Sequence, residues 1–212
     1  TEDGGAEKST MIGKEDTMKA REHFMRFTKV HYGGALLALS LALAGPARGA
    51  DPVLIGQWPG WPLGDAEGVA VEGSYAYVAA GTGGLYIFDV SDPADPQRVG
   101  GCATPGWAHR VAVSGNYAYV ADDFAGLQVI DVSNPANPQW VGSYNTSGYA
   151  ALGVAVSTNY AYVANGFAGL QVIDVSDPAD PLWKSEYPTG GAARNVAVNG
   201  NYAYLVDVDK GL

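Results

Sequence analysis

The sequence predicts an all-β protein, a β-propeller whose four-stranded antiparallel blades repeat about every 42 to 43 residues. Two observations lead to this fold class. A tyrosine-rich block recurs at regular steps, as SYAYVA at Ser74, NYAYVA at Asn116 and Asn159, and NYAYLV at Asn201. The composition, with 29 glycines, 12 prolines and only 16% charged residues, favours short strands joined by tight turns over helices.

Each repeat contains four segments with the pattern of a β-strand. The first segment (GVAV, RVAV or NVAV) is joined to the YAYV segment by a short turn such as EGS or SGN, typical of hairpins. The third (LQVIDV) is followed by an Asx-Pro turn and then by the fourth, and these turns begin at Asp92, Asn134 and Asp177. Large side chains alternate with alanine, so both faces of the inner strands are apolar and must be covered by further copies.

The third segments and their turns read GLYIFDVSDPADP, GLQVIDVSNPANP and GLQVIDVSDPADP, and they align without a gap. In this order and spacing the blocks resemble the LVIVD-repeat family of bacterial and archaeal surface proteins. The resemblance covers about Asp51 to Leu212, and a weaker one links the chain to YVTN-type surface propellers. It implies an exported, cell-surface β-propeller, and it implies no catalytic residues.

The first fifty residues stand outside the repeat. Residues 1–24 are polar, and we interpret them as a disordered leader or as sequence upstream of the natural start. Residues 25–50 have a basic start, an apolar run and a small-residue end, which is the layout of a secretory signal peptide. The alternative is a buried helix. The apolar run is shorter than the roughly 20 residues that span a bilayer. We therefore expect cleavage near Ala50 and export to the cell surface, the periplasm or the medium.

The predicted mature region, residues 51–212, begins with an orphan outer strand. Residues 53–58 align with the fourth segment of a repeat, ahead of three full repeats and a truncated fourth. In a ring, an N-terminal outer strand pairs with the last blade and removes its exposed edge. We expect this pairing for Val53–Trp58, and we expect more repeats beyond Leu212.

Charge and cysteine content exclude several classes of function. The net charge is −10, and residues 51–212 carry 16 acidic and 5 basic side chains. Such a surface repels phosphate backbones and anionic lipid heads, which excludes nucleic acid as a partner. The single cysteine, Cys102, rules out a disulfide within the chain, and we expect it to be a small apolar side chain on a strand. No transmembrane span is expected in the mature part.

The loops that vary between repeats predict a binding face. The loops before the first strand and those after the second strand differ in sequence, and both sets fall at the same end of the blades. Four equivalent positions before the first strand (Glu67, His109, Leu152 and Arg194) are expected, by likeness to propellers, to ring the mouth of a central channel. The candidate binding residues are Trp61, Glu67, Trp107, His109, Tyr149 and Arg194. The alternative is that these are tolerated rim residues.

Repeated carboxylates raise the question of a metal. Asp89, Asp131 and Asp174 end the third strands, where an aspartate accepts backbone N–H groups of the adjoining turn, and we assign them this structural role. The order of the aspartates in the second loops does not match an EF-hand (Asp122, Asp123, Asp207 and Asp209). Calcium is thus conceivable but without support. We predict no metal and no cofactor.

The most favoured function is a non-catalytic binding or structural module that contacts protein or glycan through its variable loops. His109 is the only histidine after residue 50, and no GxSxG motif is present, so neither a multi-histidine zinc site nor a hydrolase triad is indicated. The alternative is a propeller enzyme, or the non-catalytic part of a larger secreted enzyme whose catalytic part lies beyond this chain. A purely architectural repeat is the third possibility.

Overall fold

The computed structural model describes residues 64–146 and 148–211, which fold into fourteen β-strands. The predicted leader, signal peptide and orphan strand at 53–58 lie outside the described residues. The described strands form three four-stranded sheets and one two-stranded sheet, and all strand pairs are antiparallel. The all-β propeller fold predicted from the repeats is confirmed.

The strands follow one another in simple meander order. The first sheet contains β1 (Gly68–Glu72), β2 (Tyr75–Ala79), β3 (Leu85–Asp89) and β4 (Gln97–Cys102). The second contains β5 (Arg110–Ser114), β6 (Tyr117–Ala121), β7 (Leu127–Asp131) and β8 (Gln139–Tyr144). The third contains β9 (Gly153–Ser157), β10 (Tyr160–Ala164), β11 (Leu170–Asp174) and β12 (Leu182–Tyr187). The last contains β13 (Ala193–Asn199) and β14 (Tyr202–Asp207).

The sheets pack face to face through their inner strands, with β1 beside β5, β5 beside β9, and β9 beside β13. Between the first two sheets, Leu85, Ile87 and Ile130 are completely buried. Each such side chain contributes about 1.5 to 3 kcal/mol when it is removed from water. The second and third sheets repeat this packing with the next set of equivalent residues.

The exposure of one repeated tyrosine shows that stacking of the sheets buries their faces. Tyr119 on β6 is 4% exposed because the third sheet covers it, whereas Tyr204, the equivalent residue on β14, is 47% exposed. The sequence around the two residues is nearly the same, so the difference comes from the neighbour and not from the strand. A blade of this kind is buried by the following copy, as the two-faced apolar pattern predicts.

The fourth strand of each complete sheet carries one extra residue, a β-bulge at Val99, Val141 and Lys184. Next to the first two bulges, the fourth strand touches the following sheet. A Cβ at Gly142 would lie 2.3 Å from the carbonyl oxygen of Pro178, and Gly100 makes the same approach in the first sheet. Only glycine permits so close a contact.

Cys102 lies half-buried at the end of β4 and forms no disulfide. Burial raises the pKa of its thiol, so the reactive thiolate is disfavoured at neutral pH. The described part of the chain contains no helix with the length and hydrophobicity that a bilayer-spanning segment requires.

Candidate functional site

Neighbouring sheets are joined to each other at one end of the blades. Gly81, in the loop after β2, exchanges two backbone hydrogen bonds with Ala108, just before β5, at 3.1 and 3.0 Å. The loop after β6 pairs with the segment before β9 in the same way, and Ala193 N–H donates to Gly166 O at 2.9 Å. We call this end the upper face; it comprises residues 80–84, 103–109, 122–126, 145–146, 148–152, 165–169 and 188–194.

The bridging residue of these loops has a left-handed backbone. Gly81 has φ 54°, Gly166 has φ 49°, and Asp123, at the equivalent position, has φ 52°. Aspartate is one of the few residues with a side chain that tolerates this conformation. The second repeat therefore places a carboxylate on the upper face without changing the loop.

A buried aspartate holds the loop that enters the second sheet. Asp122 is fully buried, and its carboxylate accepts a hydrogen bond from Thr104 Oγ1 at 2.6 Å and one from Gly106 N–H at 2.8 Å. Burial raises the pKa of Asp122 in spite of these two hydrogen bonds, which act in the opposite direction. The pair fixes the backbone immediately before Trp107.

The same contact recurs with variations in the later repeats. Thr189 Oγ1 donates to Asp207, and this hydrogen bond is the main cause that lowers the pKa of Asp207. In the third sheet, Asn165 holds the position equivalent to Asp122, and its Nδ2–H donates to the carbonyl oxygen of Thr146 at 2.7 Å. These contacts position the upper-face loops in every sheet that follows another.

The upper face contains an open groove of about 490 Å³. Four of the predicted residues line it: Trp107, His109, Tyr149 and Arg194. His109 Nε2 lies 3.8 Å from Asp123 Oδ1, and both side chains are about a quarter exposed. Trp107 packs over Gly81, where an added Cβ would lie 2.9 Å from the indole.

The remaining two candidates are Glu67 and Trp61. Glu67 is exposed and does not line it; its carbonyl oxygen accepts a hydrogen bond from the Arg110 guanidinium. Of the four positions expected to ring a channel mouth, His109, Leu152 and Arg194 line the groove. Trp61 lies outside the described residues.

Among the charged and aromatic residues of this groove, the sequence interpretation did not include Asp123, Phe124 and Phe167 as binding candidates. The two phenylalanines are 67% and 68% exposed, and the ring of Phe167 lies edge-on to that of Tyr149, with centroids 6.5 Å apart. A signal was present in the sequence, because DDFAG and NGFAG put a phenylalanine at the same position of two loops.

The site offers contact surface and hydrogen-bonding groups. Within residues 64–146 and 148–211, His109 is paired with Asp123, and no serine or cysteine is hydrogen-bonded to it. In the same ranges, no group of three or more histidine, cysteine, aspartate or glutamate side chains is placed to hold a metal ion. The side chains that line the groove are aromatic, apolar and polar.

The repeated aspartates at the ends of the third strands lie at the other end of the blades. Each accepts a hydrogen bond from a serine N–H two residues on: Asp89 from Ser91 at 2.8 Å, Asp131 from Ser133 at 2.8 Å, and Asp174 from Ser176 at 3.0 Å. Hydrogen bonds from the same serines lower the pKa of each carboxyl group. The geometry gives these aspartates a turn-closing role.

Antiparallel four-stranded sheets, stacked through their inner strands and carrying variable loops at one end, define a β-propeller repeat module. The LVIVD repeat family model matches residues 63–104, 105–146, 147–189 and 190–212, so the chain belongs to the LVIVD-repeat family. A search of curated proteins found no match to this sequence.

Solved structures with the same fold share little sequence with this chain. The computationally designed Ika4 protein has a TM-score of 0.59 and 12% identity, over 70% of this chain and 88% of Ika4. The designed Ika8 protein has a TM-score of 0.56 and 12% identity, over 68% of this chain and 43% of Ika8. BamB from Moraxella catarrhalis has a TM-score of 0.52 and 16% identity, over 69% of this chain and 43% of BamB. These likenesses show the fold alone.

Proposed function

We propose that this chain is an exported, non-catalytic binding module that contacts a protein or glycan through its upper face. Export rests on the signal-peptide layout of residues 25–50 and on the family resemblance. The non-catalytic role is supported by the repeat propeller fold, which is that of a structural module.

One observation carries the proposal: Phe124 and Phe167 are more than 60% exposed beside an aromatic groove. An exposed phenylalanine leaves a large apolar area in water, and burying it on a partner is worth about 1.5 to 3 kcal/mol. Aromatic side chains are also the usual anchors of protein interfaces, and they stack on sugar rings in the same manner. The repeated turns at the other end of the blades contain no such residues.

Polar groups within the groove would orient a ligand. Arg194 supplies a cation, and the His109–Asp123 pair supplies a donor and an acceptor at 3.8 Å from each other. A few polar groups in a mostly apolar pocket fix the orientation of a ligand and provide specificity. The same face therefore contains both anchors and orienting groups.

Export is tested by sequencing the N-terminus of the secreted product after expression of the full gene. We expect the mature chain to begin at or near Asp51 and to be recovered from the periplasm or the medium. A chain that stays in the cytoplasm with residues 25–50 attached would contradict export.

Binding is tested with a double variant, Phe124→Ser and Phe167→Ser, on a glycan array and against an envelope protein fraction. Both side chains are on the surface, so we expect an unchanged circular dichroism spectrum and at least about a tenfold loss of affinity for the ligand that the wild-type chain binds. The matched control, Ala94→Ser and Ala136→Ser, changes two exposed residues at the other end of the blades. Equal binding by wild type and the phenylalanine variant would refute the proposed face.

A further inference from the structure

A second, smaller opening of about 350 Å³ adjoins the groove and shares Tyr149 and Phe167 with it. It continues to Gln171 on β11 and Glu186 on β12. These two residues are direct partners in the strand register, so their side chains stand next to each other on one face of the third sheet. We call this opening the β11–β12 crevice.

Gln171 has an unusual environment for a glutamine. Its side chain is 3% exposed, and its Oε1 has no hydrogen-bond partner among the described residues. A buried acceptor that has lost water without gaining a donor destabilises the folded chain. Such a group in a native fold calls for an explanation, and a ligand that supplies the missing donor is one.

The other two complete sheets show what occupies this position. In the second sheet, Gln128 is equally buried, but its Oε1 accepts a hydrogen bond from Trp140 Nε1–H at 2.9 Å. Trp140 comes from the fourth strand and is 53% exposed, so it reaches the amide from the surface. In the first sheet the position holds Tyr86, and the Arg98 guanidinium covers its ring, with Cζ 4.2 Å from the centroid.

The third sheet leaves the position open. Trp183, the counterpart of Trp140, makes no hydrogen bond to Gln171 Oε1. Two sheets thus cover this position with an N–H-bearing or cationic side chain of their own, and the third supplies none. The repeats themselves indicate the kind of group that fits.

Glu186 adds a charge that the other sheets lack, because Gly101 and Ser143 hold the equivalent positions. Within the described residues, Glu186 forms no ion pair. Burial and then the nearby Glu186 charge raise the pKa of Tyr144 on β8. The crevice therefore presents two acceptors, one of them anionic, beside two aromatic rings.

We infer that the β11–β12 crevice binds an arginine side chain of a partner protein. The guanidinium donates to the Glu186 carboxylate and to Gln171 Oε1, and its flat faces pack against Phe167 and Tyr149. Arginine has five donors and no acceptor, pairs with carboxylates in a fixed geometry and stacks on aromatic rings. The chain's net charge of −10 attracts a cationic partner.

Several of the side chains that line the crevice with Gln171 are exposed. Its Oε1 is closed off from water in the unliganded structure, while Phe167 is 68% exposed and Glu186 lies on the surface. Exposed side chains change rotamer within picoseconds to nanoseconds, so Phe167 and Glu186 can adjust to the guanidinium when it binds. This inference rests on the proposed binding role of the upper face and names the chemistry of the partner.

The test is an NMR titration of the ¹⁵N-labelled full chain with the peptide acetyl-Ala-Arg-Ala-amide and with its citrulline counterpart, which has nearly the same shape but no charge. We expect the arginine peptide to shift the Gln171 side-chain amide and the backbone amides of residues 167–171 and 185–187. The citrulline peptide should bind about tenfold more weakly, the equivalent of one charge-assisted hydrogen bond.

Variants then assign the contacts. Glu186→Gln and Gln171→Leu should each weaken arginine binding about fivefold or more. Gln171→Leu should fold normally, because it removes an unsatisfied acceptor. The matched control is Glu72→Gln, which neutralises an exposed carboxylate on β1 and should leave the affinity unchanged. Equal affinity for arginine and citrulline peptides, or full affinity in both crevice variants, would overturn the inference.

Three further outcomes would also overturn it. A hydrogen-bonded indole signal from Trp183 in the free chain would mean that the crevice fills itself. Shifts of the same amides with chitotriose but not with the arginine peptide would assign the crevice to a glycan. Envelope binding that is lost with Phe124 but survives both crevice variants would keep the proposed function and remove this inference. Arginine-dependent shifts in a chain that binds nothing in the envelope would keep this inference and remove the proposed function.

Discussion

The hydrogen bond from Thr104 to Asp122 should contribute measurably to stability, and Thr104→Val removes it while keeping the shape of the side chain. Asp122 is fully buried, and the donor–acceptor distance of 2.6 Å is that of a charge-assisted hydrogen bond. Because water cannot replace the lost donor, we expect a loss of about 2 kcal/mol in the free energy of unfolding. For a domain of this size the loss corresponds to a fall of about 4 to 8 °C in Tm.

Urea denaturation followed by tryptophan fluorescence measures this loss, with Thr82→Val as the control. Thr82 is exposed and has no hydrogen bond to the described residues, so its replacement should leave the free energy of unfolding unchanged. A second measurement is independent of stability: removing the Thr104 donor should raise the pKa of Asp122 further, as seen by carboxyl-carbon NMR. If Thr104→Val had the same free energy of unfolding as the control and left the pKa of Asp122 unchanged, the assigned role of this contact would be wrong.

Three other predictions concern the fold and its pH dependence. Because burial raises the pKa of Asp122, the folded chain holds a proton there more tightly than the unfolded chain does. Wild type should therefore gain stability relative to Asp122→Asn as the pH falls from 7 towards 4, and denaturation curves that stay parallel across this range would contradict it. Gly142→Ala places a Cβ against the carbonyl oxygen of Pro178 and should lower the free energy of unfolding by about 1 to 3 kcal/mol, as measured by urea titration. The control, Ser185→Ala, should leave the free energy of unfolding unchanged. Equal urea midpoints for the two variants would refute the close contact. The lowered pKa values of the turn-closing aspartates imply stability that is present above their unfolded pKa and lost as the pH falls through the folded values, so acid unfolding should be shallower in a triple asparagine variant of Asp89, Asp131 and Asp174.

The strands of this protein were predictable because the repeats made each assignment three or four times over. The segment QRVGGC, for example, matches β4 (Gln97–Cys102) without a shift. Antiparallel connectivity then fixes which loops share an end, and this was enough to group Trp107, His109, Tyr149 and Arg194 at one groove. Such inferences need only the order of the strands and their alternation.

Contacts between loops of different repeats were beyond prediction. The pairing of Thr104 with Asp122 depends on how two loops approach, and no periodicity encodes that distance. The open acceptor of Gln171 was hidden for a different reason. The block FAGLQVIDVS is identical around Gln128 and Gln171, yet the tryptophan of the fourth strand donates to the amide oxygen of Gln128 and not to that of Gln171. Exposure of Phe124 and Phe167 was accessible in principle, since a phenylalanine in a polar loop is a visible anomaly.

Ser185 limits how the units of this chain can be rearranged by gene duplication. The first two units each present a glycine to the carbonyl oxygen of the following Asx-Pro loop, so either could precede a copy of itself or of the other. The third unit presents a Cβ and a hydroxyl at that point, and the same loop would then collide with them at a little over 2 Å. A unit placed after Ser185 must have a different loop or stand further away, and so one side chain sets the order in which these modules can be joined.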